Sequence, residues 1–525
     1  MIRLGRSIRI ALLTATATAL GLLATAGPAA AATLLVQPDG KIVLAGRTHP
    51  AYGALARLNP DGSLDPSFGQ GGFAIDQRTV NFSALALQPD GRIVGGAGPG
   101  SVISRYLPDG APDPGFAGGG LGGTNEPGQS YSQGPSAALL VQPGGGFVAA
   151  GNRDLGAFDY EAWVRRYDAG GALLETAGRL PLQGEAISST GLTDLLERPD
   201  GSLIGAGWTS GLESSQYRSR SLLVRFRPGS GSDFDPSFGG GAGLVRPDFS
   251  GRPASLNALA MDGDKLLVAG GIAGTLLLAR FDEEGNLDRS FGEGGFVAPP
   301  IVGPEDAPEG AAGTGSIAGE VVVMLDGDVV LGGSTSQWST WTYIKMLGWR
   351  CNACPQPLLA RFDENGKLDP GFGSGGILRL LKPDGSVLLG SAGQVTALAD
   401  GKILVHGYLG RKPFVARLNP DGSYDPGFGD GGLTIVDVPC SGISQEELRP
   451  EGCVPSAVVT LGLRGLRRGK PALSLRISPN LPWAAIGHIA LTLPHGVRPT
   501  RKLRSRLRVT GVGGSPGKGS VKVLG

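Results

Sequence analysis

Histidine is scarce in this chain: four residues, at 49, 406, 488 and 495, with no two at a metal-ligand spacing inside one strand or helix. His406 sits in a strand pattern and reads as a packed core residue. Charged residues make up only 18% and mean hydropathy is +0.04, which excludes a solvated, disordered coil. Past the N-terminus, no run reaches the ~20 apolar residues of a membrane-spanning helix. Helical periodicity is absent. So are the G-x-S-x-G elbow and the G-x-x-x-x-G-K-[ST] loop, which removes the hydrolase and phosphate-loop nucleotide classes those motifs mark. Cysteine is limited to Cys351, Cys354, Cys440 and Cys453. The C-x-x-C pair lacks the βαβ setting of a redox site.

The first 32 residues read as a secretory signal. Arg3, Arg6 and Arg9 precede an apolar stretch, Ile10 to Leu23, and Ala29 to Ala32 offer a small-residue cleavage site. A secreted or cell-envelope-associated protein is expected. Four cysteines in an exported chain then suggest two disulfides, Cys351–Cys354 and Cys440–Cys453.

What the chain has in abundance is glycine, 91 residues, alongside 39 prolines. Their placement is periodic, so they read as turns. A segment of the type LLVQPDGKIVLAG (34–46) recurs seven times, giving two short apolar strands joined by a tight turn. A second segment, of the type ALARLNPDGSLDPSFGQGGFAI (54–75), alternates with it, also seven times, as strand, turn and Gly-flanked strand. Four strands per unit suit a propeller blade. The expected fold is all-β: a seven-bladed propeller of four-stranded blades over 33–439, a disulfide-closed linker at 440–454, and a small β domain at 455–525. Two closures fit the pattern. The Gly-flanked strand opens the next blade and the last strand clasps the first, or each blade is one contiguous unit.

PDGKIVLAG (38–46) and ARLNPDGSLDPSFG (56–69), repeated with variation, resemble the delta-60 repeat of secreted bacterial proteins. The resemblance spans about 34–438. It implies a β-propeller and no particular activity. The third unit departs, with LLETAG at 173–178 in place of Asp-x-x-Phe-Gly.

Comparing the units exposes a charge pattern. Arg57, Arg105, Arg166, Arg225, Arg280, Arg361 and Arg417 hold one position. Eight residues on lie Asp65, Asp113, Asp288, Asp369 and Asp425, with Asp235 at ten. A Phe follows each Asp by three: Phe68, Phe116, Phe238, Phe291, Phe372 and Phe428. Every blade needs the same staple, so these pairs read as structural, with the Phe as anchor between blades. Asp363-x-Asn365-Gly366 and its sisters resemble the start of a calcium loop, but the closing Glu is missing, and turn capping is the preferred reading. No cofactor is expected, with structural calcium the alternative.

Segment 455–525 carries 13 Lys/Arg and no Asp or Glu, while 33–454 holds 46 acids against 31 bases, net −15. The basic segment alternates like a β domain, either short of a full sandwich or packed on the propeller. Attachment to anionic envelope polymer is one reading; a solvated basic face is the other. Nucleic acid does not fit an exported chain.

In a four-stranded meander the connections alternate between the two faces of the ring. Asp-Gly turns fall on one face. The other receives the variable connections 152–161, 209–220, 303–319 and 335–356. The last holds Trp338, Trp341, Tyr343 and Trp349, candidate anchors for a protein or glycan. The expected role is a binding or scaffold module. The rival is a polysaccharide hydrolase or lyase with carboxylates at the channel.

Overall fold

The computed structural model describes residues 33–47, 52–79, 82–97, 102–117, 121–123, 136–156, 159–179, 187–213, 216–227, 234–299, 317–335, 341–344, 348–351, 355–409, 412–437, 457–464 and 472–479. The signal segment, the linker 440–454, Cys354, Cys440, Cys453 and Trp338 lie outside them. The chain divides into two units, Met1–Val454 and Pro455–Gly525.

The first unit is a seven-bladed β-propeller. Each blade is a four-stranded antiparallel sheet with its main strands in chain order. The first blade is built from Leu34–Val36, Ile42–Arg47, Gly53–Leu58 and Phe73–Asp76. The others run from Phe82 to Gly123, Ser136 to Arg179, Ile187 to Val245, Ala254 to Val297, Ile317 to Arg379 and Ser391 to Ile435. Of the two closures open to the sequence, the structure takes the contiguous one: among the described residues no strand crosses from one blade to the next. First strands of successive blades approach one another, which places them innermost.

Both faces of a blade are covered by neighbours, so its middle strands are apolar in succession rather than alternating. Period two then sorts side chains between two cores. Ile42, Leu44, Ala56 and Leu58 pack with Leu404, Val415 and Phe428 of the seventh blade. Val43, Ala45 and Leu55 pack with Phe82, Leu85 and Ile93 of the second. Each Ile, Leu, Val or Phe among them contributes about 1.5–3 kcal/mol on burial. Shifting a middle strand by one residue would send every side chain to the wrong core.

The first hairpin turn shows why Asp-Gly recurs. Gly40 N–H donates to Gln37 O at 2.9 Å and Gln37 N–H to Lys41 O at 2.8 Å. This is a type I turn followed by one residue in the left-handed region, Gly40 at φ 79. The Asp39 carboxylate accepts from Lys41 N–H at 3.1 Å. The calcium-like sequences use their carboxylates in the same way: Asp363 Oδ1 accepts from Asn365 N–H and Lys367 N–H, both at 2.9 Å. Among the described residues no group of three metal-ligating side chains is present.

The second unit contributes one antiparallel pair, Ala457–Arg464 with Ala472–Pro479. No helix among the described residues is long and apolar enough to cross a membrane.

Candidate ligand face and inter-blade clasps

The repeated arginines do more than pair within a blade. Arg57 Nε donates to Asp65 Oδ2 at 2.8 Å while Nη1 donates to Pro108 O, in the next blade, at 2.6 Å. The guanidinium lies over the Phe68 ring, 4.6 Å from its centroid. Gly69 N–H donates to Asp109 O at 2.6 Å. Gly110, at φ 88, sits on Phe68, where a Cβ would come within 2.8 Å of the ring. The Asp-Gly turn of one blade is thus a plug, and Arg, Phe and Gly of the preceding blade are its socket.

The same clasp recurs with Arg105 on Ala169 O, Arg225 on Glu283 O, Arg280 on Glu364 O, Arg361 on Pro420 O and Arg417 on Pro60 O. The socket Phe side chains are fully buried. Within blades, Arg105 holds Asp113 at 2.8 Å, Arg280 holds Asp288 at 3.0 Å and Arg417 holds Asp425 at 2.7 Å. Arg361 and Arg225 differ: Asp326 at 2.6 Å and Asp328 at 2.8 Å lie nearer Arg361 than Asp369 at 3.3 Å, and Asp200 at 2.6 Å lies nearer Arg225 than Asp235 at 3.1 Å. Burial by itself would raise the Asp65 carboxyl, but hydrogen bonds from Ser67, Lys41 and Arg57 hold it far below the usual carboxylate range.

At the seam between the third and fourth blades the fourth blade's turn, 228–233, lies outside the described residues. Arg166 turns to Glu175 at 3.1 Å and to Gln142 Oε1 at 3.2 Å, both in its own blade. Leu174 stands in the Asp position and is 64% exposed. Other bonds cross this seam further along the blade. Asn152 brackets the Leu192 backbone, accepting from its N–H at 2.9 Å and donating to its O at 3.2 Å. Ser189 and Thr190 hydroxyls accept from Tyr160 N–H at 3.0 Å and Ala162 N–H at 3.1 Å.

These bonds belong to long strands. The connections 152–161 and 209–220, expected as loops, are instead mostly strand: Phe147–Gly156 pairs with Asp159–Tyr167, and Leu203–Glu213 with Gln216–Phe226. They extend two hairpins on the face opposite the plugs. Trp208 lies edge-on to Tyr160, with centroids 6.3 Å apart. On the same face, the connection 335–356 carries an inserted ladder, Trp341–Ile344 with Gly348–Cys351. Trp341 pairs with Cys351 and Tyr343 with Trp349, so the four positions share one side of the ladder. The described backbone brings Trp341, Tyr343 and Trp349 together; Trp338 and residues 300–316 are outside it.

Two acids that the sequence reading did not single out occupy the inner strands. Asp194 and Glu320 pair with Ala206 and Gly332, and register matches them to Ala84, Ala138 and Ala258 in other blades. Asp194 accepts from Leu259 N–H at 2.7 Å and Leu195 N–H at 2.8 Å. Burial pushes it up to about 8. Burial, then the charge of Asp194, pushes Glu320 well above the carboxylate range. The signal for both was an acid in a place where sister units carry Ala.

A family model described as "Domain of unknown function (DUF5122) beta-propeller" matches residues 37–68, 88–116 and 398–428. Each match runs from a first hairpin turn to a socket Phe: Phe68, Phe116 or Phe428. No curated protein matches. Among solved structures, a Bacteroides caccae protein of unknown function is 12% identical, covering 64% of this chain and 98% of its own, with a TM-score of 0.30. Drosophila Semaphorin 1a, extracellular domains 1-2, is 8% identical over 75% and 86%, at 0.36. Prolyl oligopeptidase B from Galerina marginata is 12% identical over 65% and 43%, at 0.33. The matched segments and the seven chain-ordered sheets agree on one conclusion: this chain is a β-propeller protein.

Proposed function

We propose that the protein is a secreted or cell-envelope-associated binding or scaffold module, taking a protein or glycan on the face opposite the plugs. The observation that carries this reading is the difference between the two faces. One is a near-uniform ring of turns whose carbonyls are engaged in clasps. The other carries two extended hairpins and an inserted ladder with three aromatic positions on one side. Long, dissimilar projections on a rigid scaffold commonly carry recognition, and indoles stack on sugars or fill pockets in a partner. The reading needs no cofactor. The basic segment 455–525 would hold the protein to anionic envelope polymer. Purified protein on a glycan array and in pull-downs from envelope extracts tests the face, with Trp341→Ala and Trp349→Ala as probes. Binding unchanged in both variants would remove its main support.

Asp194 and Glu320 favour a second reading, a hydrolase or lyase acting on polysaccharide, because raised carboxyls on inner strands are what a general acid requires. Turnover of a polysaccharide panel, lost in Glu320→Gln, would establish it over the first.

A further inference from the structure

His406 lies in Ile403–Leu409 of the seventh blade, two residues beyond Leu404, which pairs with Arg417. The position two beyond the partner of the clasp arginine is Ala45, Gly96, Ala150, Ala206, Ala269 and Gly332 in the other blades. Only the blade that closes the ring replaces this small residue with an imidazole.

The seam it borders has no continuous chain across it and no exchanged strand. Gln394, opposite His406 in the ladder, brackets the start of the first blade. Its Oε1 accepts from Thr33 N–H at 2.7 Å and Leu34 N–H at 2.8 Å, and its Nε2 donates to Leu34 O at 3.0 Å. His406 Nδ1 shares a hydrogen bond with Thr33 Oγ1 at 3.0 Å. Its Nε2 is buried with no hydrogen-bond partner among the described residues, and the residue is fully buried. Tyr408 packs edge-on against the ring and donates its hydroxyl to Ala45 O at 2.9 Å.

We propose that His406, Thr33 and Gln394 form a proton-sensitive latch, and that protonation of His406 releases the first blade from the seventh.

A neutral imidazole with Nδ1 on Thr33 leaves one uncharged nitrogen, Nε2, unpaired. An imidazolium carries two N–H donors and a charge, and this pocket supplies one hydroxyl. Of the groups on neighbouring elements, Arg417 and Lys402 are engaged by Asp425, and Lys412 by Asp437. Glu320, on the sixth-blade strand that packs on Ser391–Ala397, adds nothing to the shift. Burial is its single cause and lowers His406 from 6.5 to about 4. With the folded value depressed, seam stability is fully present above 6.5 and is lost as pH falls towards 4. If the open seam restores the ordinary value, opening rises about 30-fold at pH 5 relative to neutral pH. The clasp carboxylates of Asp65, Asp113 and Asp425 are held low and stay ionised in that window.

Hydrogen exchange on the full chain at pH 7.5 and 5, corrected for intrinsic rates, tests this. Peptides covering 33–47 and 391–409 should show the 30-fold increase in opening, and peptides covering 254–281 should not. His406→Ala, a residue four sister blades carry at this position, should abolish the increase. Equal seam protection at both pH values, or the same increase in His406→Ala, overturns the proposal. Should that variant fail to fold, NMR titration of the wild-type imidazoles decides: one midpoint near 4 supports the latch, and all four between 6 and 7 overturn it.

Discussion

Arg417 and Pro60 are 357 residues apart in the chain, and the arginine Nη1 meets the proline carbonyl at 2.6 Å. The ring's closing seam therefore carries the same clasp as the seams spanned by continuous chain. Its stability should respond to the same substitutions.

Replacing Arg57 with Ala leaves the buried Asp65 with less compensation and the Pro108 carbonyl without its donor. Loss of about 3 kcal/mol is expected. Arg166→Ala, which breaks a half-exposed pair within one blade, should cost less than about 1 kcal/mol. Denaturant melts of the two variants check the contrast; equal losses would show that the clasp adds nothing beyond an ordinary ion pair.

Gly110→Ala and Gly201→Ala separate the plug from its turn. Both glycines have positive φ, 88 and 77, so both variants are strained to a similar extent. Gly201 faces open space, whereas a Cβ on Gly110 meets the Phe68 ring. Gly110→Ala should lose an additional 1–3 kcal/mol or so. A common melting temperature would argue against tight plug packing.

The clasps also show where the sequence was readable. Seven-fold repetition of the two alternating segments, with an arginine at one position in all seven, fixes blade number and strand count. Six of the acceptor groups are main-chain carbonyls, on Pro, Ala or Glu, and no side-chain pattern marks them. The contiguous blades were equally consistent with the alternative closure, because both give the same strand sequence. Connections 152–161 and 209–220 read as loops because they vary from unit to unit. Both are strands paired in long hairpins, and at the first Ser189, Thr190 and Asn152 also satisfy backbone across the third seam. The aromatic cluster was visible, whereas its alignment by the Tyr343–Trp349 register was not.

The inner-strand acids give a pH dependence of opposite sign to the latch. Asp194 is raised in the folded state, so its contribution is fully present below about 4 and is lost as pH rises through 8. Asp194→Ala, the residue found at the equivalent place in three blades, should melt a few degrees above the wild type at pH 8.5 and show no such gain at pH 4.5. Parallel melting curves across that range would contradict the assignment.

At the ladder, Trp341→Ala and Trp349→Ala should each weaken ligand binding at least tenfold, about 1.4 kcal/mol, without shifting the melting temperature. Isothermal titration with whatever the arrays identify supplies the measurement.

Removing 455–525 deletes 13 positive charges and no negative side chain. The shortened protein should leave envelope fractions at low salt, as the full chain should at about 0.5 M salt, where screening is strong. Retention at low salt would assign attachment to the propeller.

Each clasp points the same way around the ring, from socket to the next blade's plug. Within one polypeptide this is a head-to-tail assembly of like units that ends only because its rotation closes. Such an assembly has no privileged first unit. The chain could be opened at any inter-blade connection and rejoined across the present seam without separating a plug from its socket. Growth or loss of a whole unit, by duplication or deletion of coding sequence, would then hand each socket to the plug of the next blade and change only the angle the ring must close.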